Sequence, residues 1–205
     1  VPSLLKEMEP EQLRHGQQLT IVAVGEACPV ELALKWERHC RFVNAYGPTE
    51  YTVYSHLWAV RAAEVERLNC VPIGWPIHNT KSYILDGNLE PVPAGMVGEI
   101  YIAGPGIARG YLNQPELTAE RFLPNKFHPA PHYDRMYKTG DLGRYLLDGS
   151  IEFRGRADTQ VKIRGFRIEL AEIESVVLSH KDVRDCVVIT IDDERGENSL
   201  CLYLV

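Results

Sequence analysis

The sequence predicts an α/β protein built from α+β parts, and three observations predict it. A continuous apolar run at residues 20–24 is followed by a helical stretch and then a second strand, the span of a βαβ unit. From about residue 70 the pattern changes to short strands separated by Gly and Pro turns. After Arg156 it changes again, to a strand, an amphipathic helix and two apolar strands.

Each element has its own signal. Thr20-Ile21-Val22-Ala23-Val24 lacks alternation, which predicts a strand buried on both faces. Pro29 opens a helix in which Val30, Leu32, Ala33, Leu34 and Trp36 recur near helical spacing as far as His39. Arg41-Phe42-Val43 resumes as a strand and breaks at Ala45-Tyr46-Gly47-Pro48. The strand–helix–strand order implies a parallel pair, and ligands of parallel sheets sit at the carboxyl ends of strands. Both the Gly25-Glu26 and Gly47-Pro48 turns lie there.

Further on, residues 82–85 precede Asp86-Gly87-Asn88, and residues 98–102 precede Gly104-Pro105-Gly106. Residues 145–147 and 151–153 flank Asp148-Gly149-Ser150, a hairpin signal. Together these predict a small antiparallel β subdomain, with a short helix over 115–122 and a proline-rich, mobile loop over 124–131. Residues 161–163 are expected as a strand. Residues 169–180 are expected as a helix with Leu170, Ile173, Val176 and Val177 on one face. Strands over 186–191 and 200–205 follow, joined by a charged turn from 192 to 198, and the last strand runs into the end of the sequence, so this last domain reads as cut short.

Composition narrows the function. The 205 residues are 45% hydrophobic and 24% charged, as in ordinary globular proteins. A net charge of −6 with cations and acids intermixed speaks against nucleic-acid binding. The exception is the run 162–167 with Arg154 and Arg156 before it, and Glu152, Asp158, Glu169 and Glu172 around it suit a small-molecule phosphate better than a polymer. Five scattered cysteines without a CxxC pair suggest buried thiols in a reducing compartment and give no zinc spacing. No apolar stretch approaches the roughly 18 residues of a membrane span. No signal peptide is expected at the charged start, the opening Val-Pro-Ser suggests a processed or excised piece, and cytoplasm is the expected compartment.

Three segments can carry chemistry. Asn44-Ala45-Tyr46-Gly47-Pro48-Thr49-Glu50 puts a ring, a hydroxyl and a carboxylate on one turn. The ring can stack on a base and the carboxylate can hold magnesium, although a plain strand–turn–helix corner with a capping Thr would look the same. In Tyr137-Lys138-Thr139-Gly140-Asp141 the acid stands at an expected loop–strand junction, suited to ribose hydroxyls or to ordinary turn chemistry. Residues 155–169 join the two halves with four cations and two acids, as a phosphate-facing linker or as a charged strand edge.

In this order, the segments Asn-Ala-Tyr-Gly-Pro-Thr-Glu, Gly-Glu-Ile-Tyr-Ile-Ala-Gly-Pro-Gly-Ile-Ala-Arg-Gly-Tyr-Leu, Tyr-Lys-Thr-Gly-Asp-Leu and Gly-Arg-Ala-Asp-Thr-Gln-Val-Lys-Ile-Arg-Gly-Phe-Arg-Ile-Glu resemble the acyl-adenylate-forming enzymes. The resemblance is to the adenylation domains of nonribosomal peptide synthetases, and it runs over nearly the whole chain. It implies the C-terminal portion of a large ATP- and acid-binding domain at 1–157, then the beginning of a small mobile α+β domain at 158–205. Asp158 matches the hinge.

The resemblance also implies roles. Asn44, Ala45, Tyr46 and Gly47 match the adenine-binding turn, with Asn44 acting through its amide and Tyr46 by stacking. Thr49 meets the α-phosphate and Glu50 the magnesium ion. Asp141 matches the ribose-binding aspartate, and Arg156 lies near ribose and phosphate. Phe153 stands where relatives often carry Tyr. Lys162 belongs to the segment that serves the second step, when a pantetheine thiol displaces AMP. Val22, Val24, Ala45, Val53 and Tyr54 match the acid side-chain pocket, although Val22 and Val24 could equally be strand core. Ala45 leaves depth for an aromatic or other bulky amino acid.

The implied reaction is ATP-dependent activation of an amino acid, followed by transfer to the phosphopantetheine of a peptidyl carrier domain within a multidomain synthetase, with no nucleic acid or membrane involved. Two alternatives stay open: an acyl- or aryl-CoA ligase of the same superfamily, which the Asn-Ala-Tyr-Gly-Pro-Thr-Glu segment disfavours, and a non-catalytic nucleotide-binding module. The family's Gly-rich phosphate loop, its amino-group aspartate and its C-terminal lysine have no counterpart here, so the 205 residues alone are expected to be incompetent for adenylation.

Overall fold

The computed structural model describes residues 1–13, 19–128, 130–192 and 198–205. It divides into two compact units, Val1–Ala157 and Asp158–Val205.

The first unit begins with α1 (Pro2–Lys6), β1 (Thr20–Ala23), α2 (Val30–Glu37), β2 (Arg41–Tyr46), β3 (His56–Ala59), α3 (Ala62–Leu68) and β4 (Trp75–Pro76). The strands form one sheet in the order β1-β2-β3-β4. β1 and β2 are parallel, with Val22 opposite Val43 and Ala23 opposite Asn44, so the βαβ expectation holds. β3 then turns back antiparallel on β2, making the sheet mixed.

Trp36, Phe42 and Trp58 are almost wholly enclosed in the core formed where the helices pack on this sheet. Each contributes about 1.5–3 kcal/mol of hydrophobic burial, an upper estimate. Leu32, Ala33 and Trp36 share the buried face of α2, and the Trp36 indole N–H donates to the Leu5 carbonyl at 3.2 Å. α3 stops where Asn69 takes a left-handed conformation.

β5 (Lys81–Leu85), β6 (Gly98–Ala103), α4 (Pro115–Arg121), β7 (Phe122–Pro124), β8 (Arg135–Tyr145) and β9 (Ile151–Arg156) complete the unit. The strands form an antiparallel sheet ordered β5-β6-β8-β7, with β9 also on β8. This is the small β subdomain read from the turns, and the hairpin at residues 148–150 joins β8 to β9. Ile84, Ile100, Ile102 and Ile151 pack with Tyr46 and Tyr51, which ties this sheet to the end of β2.

The second unit holds β10 (Val161–Ile163), β11 (Phe166–Ile168), α5 (Leu170–Leu178), β12 (Cys186–Asp192) and β13 (Asn198–Leu204). Arg164 and Gly165 both have positive φ, the geometry of a two-residue hairpin between β10 and β11. β12 and β13 pair antiparallel.

Several expectations need correction. β1 is an edge strand with Val22 46% exposed, so it is not buried on both faces. β2 runs on through Ala45 and Tyr46, because β3 pairs with it to that point. Phe122 leaves α4 and starts β7. Pro124 belongs to β7, and Pro129 in the expected loop lies outside the described residues.

Val176 is 68% exposed, because its position lies well round the helix from Leu170, the buried residue of α5. All five cysteines are free thiols but only Cys40 is buried; Cys28, Cys70, Cys186 and Cys201 are half-buried. The turn expected between β12 and β13 falls on 193–197, outside the described residues. Among the described residues no helix is long and apolar enough to cross a membrane.

Candidate nucleotide site

Tyr46 ends β2, Asp141 lies in the middle of β8, and Arg156 ends β9. The fold brings all three together. The Tyr46 hydroxyl donates to Asp141 Oδ2 at 2.5 Å across 95 residues of sequence. Arg156 Nη1 donates to Asp141 Oδ1 at 2.6 Å and to the Thr139 carbonyl at 3.4 Å.

Asp141 is thus inside a strand and not at a loop–strand junction, because β8 begins as early as Arg135. The register of β8 against β9 shifts between Asp141 and Gly143, and such a bulge re-aims side chains. The Asp141 N–H donates to Thr139 Oγ1, whose own hydroxyl donates to the Ile100 carbonyl at 2.7 Å. Asp141 and Tyr46 are buried. Burial, with the Asp141 charge adding to it, holds the Tyr46 phenol well above its ordinary pKa. An ionised carboxylate offers about four lone-pair sites, and these two bonds leave acceptor capacity on both oxygens.

Glu50 lies in the short 3-10 turn Thr49–Tyr51 and is buried at 8% exposure. Its Oε1 accepts the Tyr111 hydroxyl at 2.7 Å, and its carbonyl accepts the Ala108 N–H at 2.8 Å. Tyr51 is locked beside it, bonded to Thr80 Oγ1 at 2.9 Å and seated where a Cβ on Gly106 would strike its ring.

The remaining expected residues are placed differently. The Asn44 side-chain amide donates to the Pro72 carbonyl at 2.8 Å, so it pins the segment before β4. The Tyr46 ring is enclosed, edge-on to His56 at 5.5 Å and tilted toward Phe153 at 6.4 Å. Phe153 therefore presents an apolar ring to this corner. Thr49 is exposed and caps nothing, since Pro48 is the N-cap. Gly47 admits no side chain, because a Cβ there would run into the backbone of Val53, Tyr54 and Ser55.

That contact brings the strand end against the segment bearing Val53 and Tyr54. Of the expected acid-pocket residues, Ala45 is buried and Val24 half-buried, whereas Val22, Val53 and Tyr54 are exposed. Within each unit the cations meet nearby acids: Arg154 pairs with Glu152 and Arg156 with Asp141 in the first, and Arg167 with Glu169 in the second. In the second unit Lys162 is half-buried on β10, opposite Arg167. Asp158 Oδ1 accepts the Gln160 N–H at 3.2 Å.

Three contributors went unassigned in the sequence. Tyr111 is the next-to-last residue of a segment singled out for its family pattern, and that membership is its one signal. Thr139 has the same signal, as a member of the segment that holds Asp141, and His56 has none. His56 is fully buried, with Nδ1 on the Ser55 hydroxyl at 2.8 Å and Nε2 without a partner among the described residues. Burial drives its pKa down to about 3, so the imidazole is neutral.

A family profile described as AMP-binding enzyme matches residues 1–112. The chain is 47% identical to tyrocidine synthase 2 of Brevibacillus parabrevis over 204 residues, which take in 100% of this chain and 6% of that protein. It is similar to the solved structure of holo-PA1221, a nonribosomal peptide synthetase protein with adenylation and PCP domains bound to a vinylsulfonamide inhibitor. The TM-score is 0.87 at 29% identity, covering 99% of this chain and 36% of that one. Holo-AB3403, a four-domain nonribosomal peptide synthetase bound to AMP and glycine, is 36% identical with a TM-score of 0.67, over 99% of this chain and 15% of that one. The chain therefore spans only a small part of the length of these relatives. It belongs to the AMP-binding enzyme family, among the adenylation domains of nonribosomal peptide synthetases.

Proposed function

We propose that this chain holds the nucleotide in an enzyme that activates an amino acid. The amino acid carboxylate attacks the α-phosphate of ATP, forming aminoacyl-AMP and releasing pyrophosphate. A phosphopantetheine thiol on a carrier domain then takes the aminoacyl group as a thioester and releases AMP. The observation that carries this reading is the meeting of Tyr46, Asp141 and Arg156 at one buried carboxylate.

Arg156 neutralises and orients Asp141, which keeps a polarised acceptor in place for ribose hydroxyls without reorganisation during binding. Tyr46 closes the same corner and offers its ring to the adenine side once the pocket opens for nucleotide. Asn44, Ala45 and Gly47 shape the turn, Thr49 meets the α-phosphate, and Arg156 also faces phosphate. Holding nucleotide and acid together removes part of the entropic barrier. Val22, Val24, Ala45, Val53 and Tyr54 form an apolar wall for the acid side chain, and Ala45 gives depth for an aromatic or other bulky one.

Magnesium fits the residues present. Glu50 is a buried carboxylate with one oxygen fixed by a phenol, and among the described residues no group of three His, Cys, Asp or Glu side chains could cage a metal. A single carboxylate that leaves room for phosphate oxygens is the donor set this ion prefers. When bound, it would offset charge on the phosphates. Residues 1–157 serve as part of the ATP- and acid-binding core and residues 158–205 as the start of the mobile domain. Asp158 is its hinge and Lys162 serves thioester formation. The cytoplasm, with its ATP and free amino acids, is the compartment this reading implies.

The test is ATP–pyrophosphate exchange by the full-length protein across an amino-acid panel. Exchange supported by one or a few amino acids is expected. Soluble, folded protein that exchanges with none of them overturns the proposal.

A further inference from the structure

We infer that Tyr111 is a positioning residue that sets how the Glu50 carboxylate faces its divalent cation. This rests on the proposed metal role of Glu50, and no other part of that reading is needed.

The Tyr111 hydroxyl gives its proton to Glu50 Oε1 at 2.7 Å, across 61 residues of sequence. The same loop holds the backbone of the turn, through the Ala108 N–H on the Glu50 carbonyl. Glu50 is therefore gripped at both its main chain and its carboxylate by one segment. A glutamate has three rotatable side-chain bonds, and a fixed donor removes much of that freedom before any ligand arrives.

The donor is itself held from several sides. The Tyr111 N–H donates to Thr118 Oγ1 at 2.9 Å. Gly110, at φ +145°, lies so near Thr118 that a Cβ would fall 2.8 Å from its hydroxyl oxygen. The Tyr111 ring stands edge-on to Phe122 at 5.6 Å, and Arg135 covers Phe122 at 5.7 Å. Arg135 also donates to the Ala108 and Arg109 carbonyls at 3.0 Å, which braces the loop leading into Tyr111. The Tyr137 hydroxyl lies 3.4 Å from that of Tyr111, and with the Tyr111 proton committed to Glu50 this contact runs toward Tyr111. Such donors outside the metal's own ligands orient a carboxylate and raise its affinity for the ion.

Two measurements on the full-length protein test this. Bound Mn²⁺ is counted by electron paramagnetic resonance with ATP present, and exchange activity is followed as Mg²⁺ is varied. Tyr111→Phe keeps the ring against Phe122 and deletes only the hydroxyl. It is expected to raise the metal concentration for half-occupancy about tenfold, with an exchange deficit that shrinks as Mg²⁺ is raised. A merely structural role would lower the melting temperature and leave the metal curve in place.

Should Tyr111→Phe fail to fold, Tyr137→Phe removes the hydroxyl behind Tyr111 and is expected to weaken metal binding measurably, by less than the roughly tenfold expected of a direct contact to the ligand. A foldable variant whose Mn²⁺ curve superimposes on wild type overturns the inference. Glu50→Gln separates the two levels. If it too binds Mn²⁺ like wild type, the metal role of Glu50 fails. If it loses Mn²⁺ while Tyr111→Phe does not change, only the positioning role fails.

Discussion

The two ends of the β2–β3 segment are built on opposite plans. On one side Tyr46, Asp141 and Thr139 are buried and Arg156 nearly so, with their polar groups tied to one another at 2.5–3.4 Å, and His56 is enclosed beside them on the Ser55 hydroxyl. On the other, Val22, Val53 and Tyr54 are partly open, at 46%, 63% and 38% exposure. Tyr46 ends β2, the 53–55 backbone packs on Gly47 directly after it, and Val22 lies on the neighbouring strand β1. Under the proposed function, the difference follows from what each side would recognise. A nucleotide is the same in every turnover, so its contacts can be fixed in advance by internal bonds. An acid side chain differs between enzymes, and an apolar wall free of internal bonds can be altered without unfolding anything. Preorganisation and tolerance to change are thus separated across one glycine.

The sharpest way to break this contrast is Asp141→Ala. It leaves the Arg156 guanidinium, whose side chain is 11% exposed, without its carboxylate, and removes the acceptor of the Tyr46 hydroxyl. Removing one partner of a buried pair costs about 3–5 kcal/mol. Urea unfolding is expected to show a loss of that order, together with a large rise in the KM for ATP. A drop below about 1 kcal/mol would mean the cluster is only a surface pair.

The same contrast marks how far the sequence could be read. The apolar run at 20–24, the helix after Pro29 and the strand at 41–43 are local patterns, and the parallel β1–β2 pair follows from them. The hairpin at 148–150 announces itself by its turn residues. Burial of β1 on both faces failed, because periodicity cannot say whether a strand sits at an edge. Asp141 was placed next to a loop because Gly140 resembles turn punctuation, whereas β6 and β9 on either side keep β8 extended there.

At the site, the candidate residues came from a family resemblance, and local physics gave only turns bearing polar groups. Nothing local links Tyr111 to Glu50, since the hydrogen bond spans 61 residues. No motif or periodic pattern in the sequence marks His56. Its enclosure comes from its place opposite Tyr46 on β2 and Pro76 on β4.

His56 offers a second, smaller lever, again on the enclosed side alone. Its pKa falls from the ordinary 6.5 to about 3 because burial disfavours the cation. Between those values the unfolded chain binds a proton that the folded protein does not. Stability from this group is therefore complete above about pH 6.5 and is lost as pH falls toward 3, at about 1.4 kcal/mol per pH unit. Urea unfolding of wild type and His56→Asn between about pH 4.5 and 6.5 is expected to show a slope flatter by that amount in the variant. Parallel curves would mean that His56 is reached by protons in the folded state.

The smallest effect on folding is expected on the open side, and there it is informative because it is small. Val53 is 63% exposed, so Val53→Ala removes little buried surface, and the unfolding free energy should move by no more than about 0.5 kcal/mol. Its two lost methyl groups would matter only to something resting on the wall. In a hydrophobic recognition site one methylene changes discrimination about 10-fold to 200-fold, and a partly open wall should lie at the low end. The ratio of exchange rates between a bulky and a smaller amino acid is therefore expected to shift about tenfold, while the KM for ATP stays fixed. An unchanged ratio would remove Val53 from the acid-binding surface. A changed KM for ATP would show instead that the two sides of Gly47 are coupled, because the 53–55 backbone packs on Gly47 and Gly47 follows directly on Tyr46.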